Sequence, residues 1–182
     1  MKKLNYEAID RPTPEEVKDL PKHPISGVLH NIRSIHNVGS MFRTSEAARI
    51  EHLYLTGYTG TPAHADLHKT ALGTQDVVSW SDHDGVEAVL KARRSEGYTI
   101  AALEITTAPT DPREVSLEHF PLCLVVGNEV EGVDDAVIDA ADLALEVPQF
   151  GSKHSLNVGV AYGIALFDLV RRYRTLHGPP TS

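Results

Sequence analysis

"LCLVVGNEVEGV", residues 122–133, passes from an unbroken apolar run into a polar turn bracketed by glycines. Leu122 to Val126 offer apolar side chains to both faces of a strand. A strand with one wet face would alternate instead, so this run belongs in a sheet covered on both sides, the usual setting of parallel strands. The strand then ends in Gly127, Asn128 and Glu129, with a second glycine at position 132. A tight turn accounts for the glycines. It gives no reason for the carboxylate of Glu129, and the carboxyl ends of such strands are where ligands bind in open α/β sheets.

Working outward, β-rich apolar runs recur at "GVLH", "HLYLTG", "VVSW", "YTIAALEI" and "LALEVP". Helical patterns lie between several of them. "SMFRTSEAARI" follows Asn37, a candidate N-cap. "GVEAVLKARRSEG" sets Val86, Val89 and Leu90 on one face and stops at Gly97, and "DDAVIDAAD" reads as a short helix. The longest helix is expected from Ser155 to about His177, with Ser155 as cap and Leu156, Val160, Ile164, Phe167 and Val170 as its apolar stripe. Strands alternating with helices predict an α/β domain around a largely parallel sheet, with helices on both faces. Ahead of it, prolines at 12, 14, 21 and 24 mark an irregular arm. That arm holds one short helix, capped by Thr13, with Pro14 at its first position and Glu16 completing a capping box. The expected organisation is an arm over 1–24, one domain over 25–177 and a tail over 178–182.

A chain of 182 residues suffices for one well-buried domain. The net charge of −8 argues against broad, nonspecific coating of nucleic acid but allows a local basic groove. Basic residues gather at Arg33, Arg43 and Arg49, at Lys91, Arg93 and Arg94, and at Arg171, Arg172 and Arg174. No apolar run approaches the roughly 20 residues that span a bilayer, and "MKKLNYEAIDRPTPEE" turns acidic before a signal-like segment can form. No membrane association and a cytoplasmic setting are expected. The single cysteine, Cys123, cannot form an internal disulfide and reads as a small buried hydrophobe.

Familiar sites are missing. The sequence has no dinucleotide fingerprint, P-loop or nucleophile elbow. His64 and His68 in "HADLH" have a spacing that one metal could share, but no cysteine or H-E-x-x-H context supports it, and no metal site is expected. In "SDHDG", Asp82 or Asp84 reads as a helix N-cap.

Three polar stretches remain. "NIRSIHNVGSMFRT" (31–44) carries Asn31, Arg33, Asn37 and Arg43, the last beside Met41 and Phe42 and so read onto the buried side of its helix. "VVGNEVEGV" (125–133) carries Glu129. "VPQFGSKHSLNVGVAYG" (147–163) places Ser155 and Asn157 at the mouth of the long helix, where capping requires only one of them. All three fall at strand ends or helix starts, which points to one shared site.

In order and spacing these stretches resemble the three motifs of the SpoU (TrmH) class of SPOUT RNA methyltransferases, over roughly residues 25 to 172. The first motif is matched by Asn31, Arg33, Asn37, Gly39 and Arg43. Gly159 and Gln149 depart from the usual pattern, where Ser and Met are more frequent. The resemblance implies an α/β SPOUT domain with a C-terminal trefoil knot, a homodimer, and S-adenosylmethionine as cofactor. It places the cofactor near Leu103, Gly127, Val147, Ser155 and Leu156. It also implies transfer of a methyl group to a ribose 2′-hydroxyl of structured RNA, tRNA ahead of rRNA, by Arg43, Asn37, Glu129, Ser155 and Asn157. A guanidinium rarely gives up its proton, so Arg43 is read as an electrostatic activator, with Glu129 holding Arg43 or Asn157 in place. The alternative is a knotted RNA-binding adaptor without catalysis.

Overall fold

The computed structural model describes residues 1–5 and 8–179. Its centre is a sheet of six strands: β1 (His23–His30), β2 (Ile50–Thr56), β3 (Trp80–His83), β4 (Thr99–Leu103), β5 (Leu122–Val126) and β6 (Leu143–Leu145). They lie in the order β3-β2-β1-β5-β4-β6, and every neighbouring pair is parallel. The continuous apolar run of β5 follows from its position. Leu122, Leu124 and Val126 enter one core layer, Cys123 and Val125 the other, and all five are at most 1% exposed.

Helices α2 (Ile35–Ala48), α3 (Ala65–Ala71) and α6 (Val158–His177) cover the first face, packing Val38, Phe42, Leu67, Leu166 and Leu169 onto it. On the other face lie α4 (Val86–Ser95) and α5 (Asp135–Ala140), through Val86, Val89, Leu90 and Val137. Burying a side chain such as Leu166 contributes about 1.5–3 kcal/mol. Helix α1 (Pro14–Asp19) has the expected Thr13–Glu16 capping box and buries Val17. Of the expected tail, residues 180–182 lie outside the described residues.

Several local expectations are corrected. Helix α2 is capped by Ser34, whose hydroxyl accepts from the Asn37 N–H, so Asn37 sits inside the first turn with its side chain free for other work. Helix α6 starts at Val158, and its cap is Asn157, not Ser155. The stripe on α6 is shifted too. Tyr162, Ala165, Leu166, Leu169, Val170 and Tyr173 are buried, whereas Val160 and Ile164 are 51% and 39% exposed. In "VVSW" the strand begins only at Trp80, because Val77 and Val78 close a turn onto Thr74. Neither Asp82 nor Asp84 caps α4; Gly85 holds that position without a side-chain bond.

Two close approaches hold the α2 layer together. A Cβ at Gly39 would lie 2.0 Å from the Thr70 hydroxyl and 2.8 Å from the Leu67 carbonyl, so α2 and α3 meet there only because the residue is glycine. Between α2 and α6, the buried hydroxyls of Ser45 and Tyr162 are 2.8 Å apart and satisfy each other.

A carboxamide relay at the mouth of a cavity

At the carboxyl edge of the sheet, the chain leaving β1 enters α2, the chain leaving β5 turns, and the segment after β6 leads into α6. The Glu129 carboxylate joins the first two. Its Oε2 accepts from the Arg33 N–H at 2.9 Å, and its Oε1 accepts from the Ser34 N–H at 3.0 Å and from the Asn37 Nδ2 at 2.9 Å. Burial alone would push the Glu129 carboxyl up. The hydrogen bonds donated by Arg33, Ser34 and Asn37 outweigh it and hold the group below the usual glutamate range.

The polarity of this network is fixed by its ends. A carboxylate only accepts, so Asn37 turns its amide NH2 toward Glu129 and leaves its Oδ1 for a donor. That donor is the Asn157 Nδ2, 3.2 Å away. Asn157 is oriented in turn by α6, because its Oδ1 accepts from the N–H groups of Gly159 and Val160 at 2.9 and 3.2 Å. One residue from each of the three polar stretches therefore forms a continuous relay, from a carboxylate to a helix N-terminus. Asn157 is both cap and relay member.

Asn128, passed over in the sequence, anchors the same turn. Buried at 7% exposure, it donates through Nδ2 to the Asn31 carbonyl and the Tyr58 hydroxyl, and its Oδ1 accepts from the Val130 and Glu131 N–H groups. Asn31 adopts φ 57° and accepts from the Tyr58 N–H. Isolated turn residues carry no signal for such bonds between segments distant in sequence.

Beside the relay opens a cavity of about 410 Å³. Leu103, Gly127, Val147, Ser155 and Leu156 all line it, together with the relay's Glu129. Glu104, also missed, lines it from the end of β4. The signal was available, since Glu104 ends an apolar strand just as Glu129 follows one. Gly127 and Gly132 shape the wall: a Cβ at Gly127 would lie 2.1 Å from the Gly132 carbonyl oxygen.

Arg43 is placed differently from the expectation. It is exposed, and among the described residues no hydrogen bond or ion pair ties it to Glu129 or Asn157. Glu129 is committed to Asn37 and the α2 N-terminus instead. Of the other basic groups, Arg93 lies between the rings of Tyr54 and Tyr98 and pairs with Glu96, and Arg94 pairs with Asp142. Arg172 donates to the Val115 carbonyl and Arg171 reaches Asp168. His64 caps α3 and His68 bonds the Pro62 carbonyl, which accounts for both histidines of "HADLH". Cys123 is buried, and burial pushes its thiol up to about 12.

The chain belongs to the SpoU rRNA Methylase family, whose model matches residues 24–167. It is 31% identical to the tRNA (guanosine(18)-2′-O)-methyltransferase of Aquifex aeolicus over 142 residues, covering 78% of this chain and 66% of that protein. The crystal structure of the A. aeolicus TrmH/SpoU tRNA modifying enzyme superposes with a TM-score of 0.80 at 26% identity, over 92% of this chain and 87% of that one. The AdoMet-bound rRNA methyltransferase from Sinorhizobium meliloti superposes with a TM-score of 0.76 at 25% identity, over 85% and 59%. The chain spans 66%, 58% and 57% of the lengths of the first three curated relatives it matches.

Proposed function

We propose that this chain transfers a methyl group from S-adenosylmethionine to a ribose 2′-hydroxyl of a structured RNA, with tRNA ahead of rRNA as substrate. The observation that carries this reading is the relay through Glu129, Asn37 and Asn157 at the mouth of a ligand-sized cavity. The names of the relatives point the same way.

The cavity suits the cofactor. Small-molecule sites commonly enclose about 300–1,000 Å³, and this one has apolar walls at Leu103, Val147 and Leu156 with strand-end backbone between them. We assign Leu103, Gly127, Val147, Ser155 and Leu156 to holding the adenosyl and methionyl groups. When bound, S-adenosylmethionine supplies a methyl group activated by the attached sulfonium.

The remaining tasks fall to the chain. A ribose hydroxyl is a weak nucleophile, and positive charge near the developing alkoxide strengthens it. We give that role to Arg43, an exposed residue whose backbone lies about 9 Å along the α2 axis from that of Asn37, and which is open to RNA phosphate. Asn37, Glu129 and Asn157 position the α2 N-terminus against the cavity. Ser155, exposed on the cavity rim, is assigned to its wall and to contact with the reacting ribose.

We further propose a homodimer and a knotted C-terminal segment. Val160 and Ile164, four residues apart and both exposed, form an apolar row on an outer face of α6, and that row supports an α6-centred contact between copies. No helix among the described residues is long and apolar enough to cross a membrane. The lone buried thiol supports a reducing, cytoplasmic setting.

Calorimetric titration with S-adenosylmethionine, followed by methylation assays on tRNA with wild type and Arg43→Ala, tests the proposal. Cofactor binding with methylation that falls at least a hundredfold in the variant, roughly the contribution of one electrostatic group, is the expected result. Absence of both binding and methylation would favour the RNA-binding adaptor.

A further inference from the structure

Among the described residues, those lining the cavity include four glutamates, Glu104, Glu129, Glu131 and Glu146, and no lysine, arginine or histidine. Glu129 is committed to the relay, Glu131 is exposed, and among the described residues Glu146 is tied only through its backbone N–H, to the Thr110 carbonyl. Glu104 is different. Half-buried at the end of β4, its Oε1 accepts from the Ile105 N–H at 2.7 Å and its Oε2 from the Val133 N–H at 3.1 Å. Its own N–H donates to the Leu145 carbonyl at 3.0 Å. One residue thus ties together the three segments that wall the cavity. Gly132, at φ 75°, makes room for it, since a Cβ there would lie 2.2 Å from the Glu104 Oε2. Among the described residues no cation pairs with this carboxylate.

Two amide hydrogen bonds orient the Glu104 carboxylate without neutralising its charge. An acidic cavity without a basic side chain favours a cationic occupant and disfavours an uncharged or anionic one. S-adenosylmethionine carries a sulfonium charge that is absent from S-adenosylhomocysteine, which is left after methyl transfer; the two are otherwise nearly the same shape. We propose that Glu104 is a positioning and specificity residue. It fixes the cavity wall through Ile105 and Val133, and its charge makes the site prefer the methylated cofactor to the demethylated product. This rests on the cofactor reading given above. Its consequence is release of product without a separate expulsion device.

The test is calorimetric titration of the full chain with S-adenosylmethionine and with S-adenosylhomocysteine, in wild type and in Glu104→Gln. Glutamine keeps the shape but removes the charge and one of the two acceptors, so a loss shared by both ligands reports the wall and the difference between them reports the charge. The expected result is that binding of S-adenosylmethionine weakens about tenfold more than binding of S-adenosylhomocysteine, a difference equivalent to ~1.4 kcal/mol. A purely structural role would weaken both ligands equally, and that outcome, or no change in either, overturns the inference while leaving the cofactor assignment intact. Wild type binding neither ligand would overturn both. If the variant does not fold, wild type decides. Its preference for the charged ligand must shrink from low to high salt, and a salt-independent ratio sinks the inference.

Discussion

Gly127 and Gly132 meet across the turn after β5 so closely that a methyl group at Gly127 would collide with backbone, which cannot step aside as a side chain can. Gly127→Ala is expected to cost about 1–3 kcal/mol, the usual range for forced overpacking, and to abolish cofactor binding, as urea unfolding and calorimetry will show. Unchanged affinity would mean that the turn does not form the binding wall. Glu129 gives a second expectation, this one in pH. Its carboxyl is held below the ordinary value, so the stabilisation it brings is present above that value and disappears as pH falls through the lowered one. Wild type should therefore exceed Glu129→Gln in stability at neutral pH, and the gap should narrow in acid, as pH falls below the ordinary glutamate value of about 4.3. An equal gap at neutral and acid pH, measured by urea unfolding, would contradict the hydrogen-bond account. Both residues stood out in the sequence as glycine and carboxylate at a buried strand's end. Their partners did not, because Gly132 and the α2 N-terminus are brought to them only by folding.

At its start α6 holds two separable functions in one side chain. Asn157 caps the helix through Oδ1 and passes the relay to Asn37 through Nδ2. Asn157→Ala should lose about 1 kcal/mol of helix stability, as cap removal usually does, together with methylation. Asn157→Asp keeps an acceptor for the Gly159 and Val160 N–H groups but has no amide to donate. It should recover most of the thermal stability while methylation stays low, and a fully active Asp variant would remove the amide from the site. The sequence reading puts Ser155 at the cap, though both residues suit the position; the helix starts at Val158, and the Asn157 Oδ1 takes the Gly159 and Val160 N–H groups instead. The same limit explains α2, where Ser34 takes the cap and releases Asn37. Strand and helix types were otherwise readable from periodicity, as with Val86, Val89 and Leu90 on α4. The apolar pattern of α6 misled because part of it, at Val160 and Ile164, stays exposed instead of joining the core.

That uncovered row carries the expectation for the assembled protein. Val160→Asp with Ile164→Asp should convert a dimer to a monomer in sedimentation equilibrium without unfolding the domain, because neither residue belongs to the core. A wild-type monomer would contradict the proposed dimer. The parallel sheet, its two helical layers and the carboxyl-edge location of the site were legible from the apolar strands and the three polar stretches. The placement of Arg43 was not. Its neighbours Met41 and Phe42 are buried, and the local pattern hid the fact that position 43 turns outward. The account as a whole stands on methyl transfer to ribose. The direct measurement is nucleoside mass spectrometry of tRNA incubated with the protein and S-adenosylmethionine bearing a deuterated methyl group. The account predicts the labelled methyl on a ribose 2′-oxygen with wild type and almost none with Arg43→Ala. Label on a base, or no label on any RNA despite bound cofactor, would contradict it.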